Sequence, residues 1–393
     1  MTRSRISPQD FAREPFRAFF PIAALAGISG VALWPLHFWG LVQWYPGQIH
    51  ARVMAYGLFG GFIFGFLGTA MPRMLSAQPL RLAEVFGLLA VYLGMVVSFL
   101  VGNIFAGDAL LVLLLCGFGA CLAGRLRNRK DTPPPGFVLV GFAFLSVISG
   151  AIISLLQPES GESNLFWLHL QRLLSYQGFI LLPILGIGPF ILPRFFGLES
   201  SHDFPTTLVP VPGWTRKAIL AAATGIMIIA TFLLEASTWY RTAYGTRFLI
   251  ILGYLWIEMP FHRGPRLGNA LGASIRSSFL SILAGFLAIS LFPAYRVALL
   301  HITLVGGFAV ITFIVATRVV FGHSGNIHKL KSRTGWVWVS VAAMLLGMAT
   351  RISGDFWPEI MATHYNYGAL VWIAGVLLWA AYVLPYVLRA DPE

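Results

Sequence analysis

Charge is scarce in this sequence. Asp, Glu, Lys and Arg supply 11% of its 393 residues, where soluble globular chains carry about 25%. Apolar residues make up 57%, in runs of spanning length from end to end, which excludes a soluble globular chain and implies a polytopic membrane protein. Cysteine is scarcer still. Cys116 and Cys121 both sit in one apolar run, so neither a disulfide framework nor a thiolate metal site follows. The chain lacks a Walker A loop, a Rossmann glycine fingerprint and an H-E-x-x-H helix. It lacks C-x-x-C-H for covalent haem attachment as well. Its first residues, MTRSRISPQDFAREPFRAFF, show no signal-peptide cleavage pattern beyond the first apolar run, which reads as a retained helix. No stretch forms a soluble domain of useful size, so residues 1–393 are read as one integral membrane domain.

What is present is an all-α pattern of twelve apolar spans. They cover Phe19–Phe38, Ile49–Met71, Leu82–Val101, Ile104–Ala123, Gly136–Leu156, Phe166–Leu192, Ala218–Leu234, Tyr244–Trp256, Ser277–Leu291, Val297–Val320, Gly335–Ile352 and Tyr367–Val387. Basic residues alternate by side. The N-terminal tail (Arg3, Arg5, Arg13, Arg17), the loops after even-numbered spans and Arg389 hold 21 of the 27. Arg52, Arg241, Arg247, Arg296 and Arg351 fall on the other side, and Arg172 lies within span 6. This alternation puts both termini in the cytoplasm of a bacterial inner membrane. It also explains the formal net charge of +12 as a topology signal, with no stripe for nucleic acid.

That orientation sorts the histidines. His37, His50, His169, His301 and His364 fall at the outer ends of spans 1, 2, 6, 10 and 12, and His202, His262, His323 and His328 at the inner face. Span 10 begins at His301 and carries Arg318 near its other end, about 25 Å away at the α-helical rise. Ionisable groups at membrane depth are costly and commonly functional, although Arg318 also reads as a side chain snorkelling to the face. The segment Arg318–Asn326, with its Gly-His-Ser-Gly turn, reads as a structural anchor at that surface. A faint repeat recurs every fourth span: spans 2, 6 and 10 each begin with a histidine (His50, His169, His301) and are rich in glycine. A pseudo-threefold bundle of three four-helix units is the architecture this predicts.

In span 2, His50 and Met54 share one helix face, and imidazole and thioether are both ligands of haem iron and copper. His50 and His301 lie at one depth on different helices, as a six-coordinate haem requires. Haem propionates need cationic partners, and Arg52, Arg296 and Arg351 are the outer arginines considered for that role. Arg241 and Arg247 read as rim charges. His169 and His364 are further metal-ligand candidates. Tyr56, Tyr176, Tyr365 and Tyr367 read first as interfacial belt residues.

These features resemble the NnrS family, membrane proteins described as binding haem and copper and linked to nitric oxide and denitrification. The resemblance covers most of the chain. It rests on Phe16-Arg17-Ala18-Phe19-Phe20 entering span 1, on His50-Ala51, Met54 and Gly65-Phe66-Leu67-Gly68-Thr69-Ala70-Met71-Pro72 in span 2, and on span 10 with span 11. There the matches are His301, Thr317-Arg318-Val319, Gly322-His323 and Gly325, followed by Arg351. The chain departs from the family pattern at Arg52 and Val53, where H-A-H-E-M has its second His and its Glu, and at Gly188–Pro193, which lacks an arginine. Loss of that His and Glu removes two expected copper ligands, while His50 and His301 keep the haem ligands. The resemblance implies a b-type haem, a role in nitric oxide or nitrogen oxide metabolism or nitrosative stress, and a small diatomic ligand, with the redox donor unspecified. Twelve spans with histidines high in helices 2, 6 and 10 are also similar to the catalytic subunit of haem-copper oxidases. Span 7 here has no histidine, so that likeness does not extend to a copper site. Two other readings stay open: a twelve-helix secondary transporter, and an accessory or assembly protein for a metalloenzyme.

The topology has a direct test. A green fluorescent protein joined after Glu393 should fluoresce in bacterial cells and alkaline phosphatase joined there should be inactive; the opposite pair would overturn the orientation.

Overall fold

The computed structural model describes residues 6–157, 164–198, 207–259, 261–263, 269–331 and 334–389. Arg3, Arg5, His202, Arg266 and Arg333 of the charge and histidine pattern lie outside them. A short helix, Pro8–Arg13, precedes the long ones. These are α1 (Phe16–Phe38), α2 (Gly47–Met74), α3 (Leu82–Leu100), α4 (Ile104–Arg127), α5 (Phe137–Leu156), α6 (Leu165–Ile191) and α7 (Trp214–Ala236). They continue with α8 (Tyr240–Glu258), α9 (Ala270–Leu291), α10 (Pro293–Gly322), α11 (Gly335–Phe356) and α12 (Pro358–Tyr386). Among the described residues 11 helices are long and apolar enough to cross a membrane. α8 falls short because Arg241, Arg247 and Glu258 interrupt its apolar run. It nonetheless packs between α7 and α9 along the bundle. Arg17 and Val387, near the two ends of the described chain, meet at one face, which requires an even number of crossings between them, and α8 is the twelfth.

That meeting is made by Arg17. Its Nη1 donates to the carbonyls of Val387 at 2.5 Å and Arg389 at 2.8 Å, and its Nη2 to that of His323 at 2.9 Å. Glu14 accepts from Arg17 Nε at 2.6 Å on one oxygen and from His323 Nδ1 and Arg73 Nη2, each at 2.6 Å, on the other. The Arg318–Asn326 segment is thus the anchor its sequence predicts, holding the ends of α2 and α10 and both chain termini. We call this the basic end and the opposite one the histidine end.

The helices form three units of four: α1–α4, α5–α8 and α9–α12. In each unit the first helix packs on the second and the third on the fourth, and the units close into a ring through α4 on α5, α8 on α9 and α12 on α1. The second helix of each unit is the inner one. The most apolar stretches of α2, α6 and α10 are 78%, 83% and 61% buried, against 33–56% for the other qualifying spans. Close approach depends on small residues. At the α11–α12 contact a Cβ added to Gly347 would lie 2.7 Å from the carbonyl oxygen of Gly368, and one added to Gly368 2.8 Å from that of Gly347. Turns are set locally: α3 ends with Gly102 at φ +85°, its N–H on Phe99 O and the next N–H on Ser98 O, a Schellman end. Asn103 then caps α4 through Ala106 N.

One feature departs from the uniform α-helix assumed for the inner spans. Each changes to a π-helical turn just after its histidine: Val53–Phe59 in α2, Leu173–Gly178 in α6 and Ile302–Ala309 in α10. These turns lie where each inner helix packs on the first helix of its unit. Such insertions are rare and concentrate at functional sites. The single α-helical rise from His301 to Arg318 therefore does not hold.

The Glu14 cluster makes stability pH-dependent. Burial pushes the Glu14 carboxyl up, but the hydrogen bond and charge of His323 and the Arg17 guanidinium outweigh it and hold it at about 2, below an ordinary 4.5. A depressed carboxyl stabilises the fold above its ordinary value and loses that contribution as pH falls towards the folded one. Thermal stability should therefore drop between pH 4.5 and about 2, and Glu14→Gln should be less stable at neutral pH but flatter across that window. Parallel curves for the two proteins would contradict this.

Candidate functional site

At the histidine end the inner helices line a cavity of about 700 Å³, within the range of small-molecule and cofactor sites. His50, His169 and His301, one from each four-helix unit, all line it. His50 Nδ1 lies 2.9 Å from the carbonyl of Gly30 on α1, where the missing Cβ lets α2 approach. His301 Nδ1 lies 2.8 Å from the carbonyl of Val297, one turn earlier in α10. A proton on Nδ1 satisfies each carbonyl and leaves Nε2 as the lone-pair atom, the state in which histidine binds a metal. Among the described residues no hydrogen bond engages either Nε2. Trp34 stands edge-on to His50 at 6.0 Å, and Met54 also faces the cavity.

The arginines divide into paired and unpaired. Arg52 lines the cavity but is committed elsewhere: its Nη2 is 3.0 Å from Asp108 Oδ2 and 2.9 Å from Ser154 Oγ, and its Nε is 3.1 Å from Asp108 Oδ1. Its carboxylate partner is supplied by α4, so it brings no unpaired charge to the cavity. Arg351 lies 3.0 Å from Asp355 Oδ2, with its guanidinium 3.7 Å from the centre of the Tyr365 ring, and Tyr365 donates its hydroxyl to Asp355. Arg296 packs on the Tyr240 ring at 4.6 Å. Neither Arg296 nor Arg172, both in the cavity wall, has a carboxylate partner among the described residues. The cavity accordingly offers uncompensated positive charge to an anionic group.

Several expectations change. Arg247 is no rim charge. It is fully buried among α6, α7, α8 and α9, with Nη2 2.8 Å from Glu235 Oε2, Nη1 2.7 Å from Gln177 Oε1 and Nε 2.9 Å from Thr231 Oγ1. Phe232 and Tyr244 rings sit 4.7 Å from its guanidinium and Phe286 at 5.5 Å. Tyr56 is buried, and Tyr176 and Tyr365 line the cavity, so these are not belt residues; Tyr367 remains exposed. His364 is outside the cavity lining, with Nδ1 2.7 Å from Ser353 Oγ. Among the described residues no group of three or more His, Cys, Asp or Glu side chains could hold a metal ion, so His169 and His364 do not join His50 and His301 in such a cluster. The sequence reading passed over Asp108 and Glu235 and gave Arg172 no role. The two carboxylates were detectable as acids interrupting apolar helices, each of which needs a buried cation.

A family model described as NnrS protein matches residues 10–390, nearly the whole chain. No curated protein matches it.

The Arg52–Asp108 pair gives a direct prediction. Arg52→Met leaves Asp108 buried without its cation and should cost about 3–5 kcal/mol of stability. The double variant Arg52→Met/Asp108→Leu should recover most of that loss in a thermal-unfolding series, and a double variant as unstable as the single would refute the pairing.

Proposed function

The chain belongs to the NnrS family, and we propose on that premise that it is a haem-binding protein of the bacterial inner membrane that handles or responds to nitric oxide or a related nitrogen oxide. The observation that carries the reading is that His50 and His301, each with Nδ1 turned to a backbone carbonyl, line one cavity. The donor set suits a b-type haem. Two neutral imidazoles present Nε2, apolar and aromatic walls suit the macrocycle, and guanidiniums suit its propionates. Arg296 has a free charge for that purpose, and Arg351 adds a second, shared with Asp355.

Haem held there would supply a redox-active iron. The chain's residues do the rest. The backbone carbonyls of Gly30 and Val297 fix the two rings and their tautomer. The Arg52–Asp108 and Arg247–Glu235 pairs hold the walls without adding net charge. Copper forms no part of this proposal, since Arg52 and Val53 replace two expected ligands and no metal-binding group appears among the described residues. A repeat of four helices, closed three times into a ring, also speaks against the two six-helix halves of a secondary transporter.

Absorption spectroscopy of purified protein tests the reading. The wild type should carry a Soret band, and His50→Ala or His301→Ala should weaken haem retention by about tenfold or more. His262→Ala, at the basic end where the ring stacks on Trp256, should leave the band intact. Absence of the band, or indifference to both histidine substitutions, would sink the proposal.

A further inference from the structure

A second cavity lies below the first, and the histidine chemistry makes no use of it. It measures about 90 Å³ and is walled by the same three inner helices, through Phe62 and Phe66 of α2, Pro183 and Ile187 of α6, and Ile311 and Val315 of α10. The two cavities follow one another along the bundle. The histidine cavity reaches down to Phe59, Ile180 and Ala309, and the lower one begins at Phe62, Pro183 and Ile311. On each helix that step is less than one turn. Near that step Phe59, which lines the upper cavity, stands edge to face with the buried Phe308 at 6.4 Å.

The lower wall is almost wholly apolar, Thr312 being its one hydroxyl-bearing residue among those described. A water needs about 2–4 polar partners, and apolar voids stay dry while admitting apolar guests such as xenon. The volume is several times the ~10–15 Å³ that one water-sized molecule requires. It is far below the 700 Å³ of the cofactor-sized cavity above.

We propose that this lower cavity is a docking site for a small uncharged gas molecule and the basic-end stage of an axial path to the histidine cavity. A charged species, including a nitrogen oxyanion, finds no partner in these walls and is excluded from the path. A charged species would have to enter at the histidine end, where Arg172 and Arg296 stand uncompensated. Delivery of gas to an iron rests on the proposed function; occupancy by gas does not.

Xenon is the probe. An anomalous difference map from xenon-pressurised crystals of the full chain should show a peak among Phe62, Ile187 and Val315. Ala316→Leu, which adds bulk to a buried alanine in the wall, should remove it. Should that variant fail to assemble, Val315→Phe fills the same space from a half-buried position. The peak should survive in His50→Ala and His301→Ala. A protein without a Soret band but with this peak separates the two ideas, since only the haem reading would fall. No peak in the wild type, an acyl chain in its place, or a peak unchanged in a filled variant would overturn the inference.

Discussion

A charge drawn into an apolar bundle is costly unless an opposite one meets it, and three such pairs shape the histidine end of this protein. Each four-helix unit contributes one guanidinium with its own carboxylate: Arg52 with Asp108, Arg247 with Glu235, Arg351 with Asp355. The first two pairs do more than neutralise. Asp108 also accepts from Ser154 of α5, so the pair joins the first unit to the second. Arg247 reaches Gln177 of α6 and Thr231 of α7. Breaking either leaves a buried ion uncompensated, which is far costlier than losing a surface bridge. The cavity walls are therefore fixed before any ligand arrives.

Within that frame the three π-turns do the shaping. Each follows a histidine on an inner helix and coincides with the contact to the first helix of its unit. The turns themselves line the histidine cavity, through Met54 and Phe59 of α2, Tyr176 of α6 and Val305 of α10, and the same helices wall the smaller cavity beyond them. The imidazoles of His50 and His301 stand in the cavity wall, and their orientation comes from the backbone carbonyls of Gly30 and Val297, which no side-chain substitution readily removes. α2 and α10 end at the Glu14–Arg17–His323 cluster, which ties the segments entering α1 and leaving α12 to them.

Much of this was legible in the sequence because it depends on one-dimensional signals. Spanning lengths, alternating loop charge and a histidine at every fourth span gave the number of crossings and the threefold plan. Arg17 and His323 stood out as motif residues, though not as partners. Span 8 was hard to read because Arg241 and Arg247 break its apolar run, and only the packing of α8 between α7 and α9 shows why a helix can carry them. What could not be read was pairing. Nothing along the chain says that Arg52 meets Asp108, 56 positions away, or that Arg247 is a core residue. Nor does apolar periodicity distinguish an α-turn from a π-turn, because the difference arises where one helix is pressed against another. His364 shows the converse: its position at the end of a span matched that of His50 and His301, but its ring turned to Ser353.

The decisive observation is an experimental density map of protein purified with its native cofactor. Flat density between the Nε2 atoms of His50 and His301, with carboxylates reaching towards Arg296, would bear out the central assignment. The same map with lipid, water or collapsed side chains in that space, and the two imidazoles hydrogen-bonded to protein through Nε2, would contradict it.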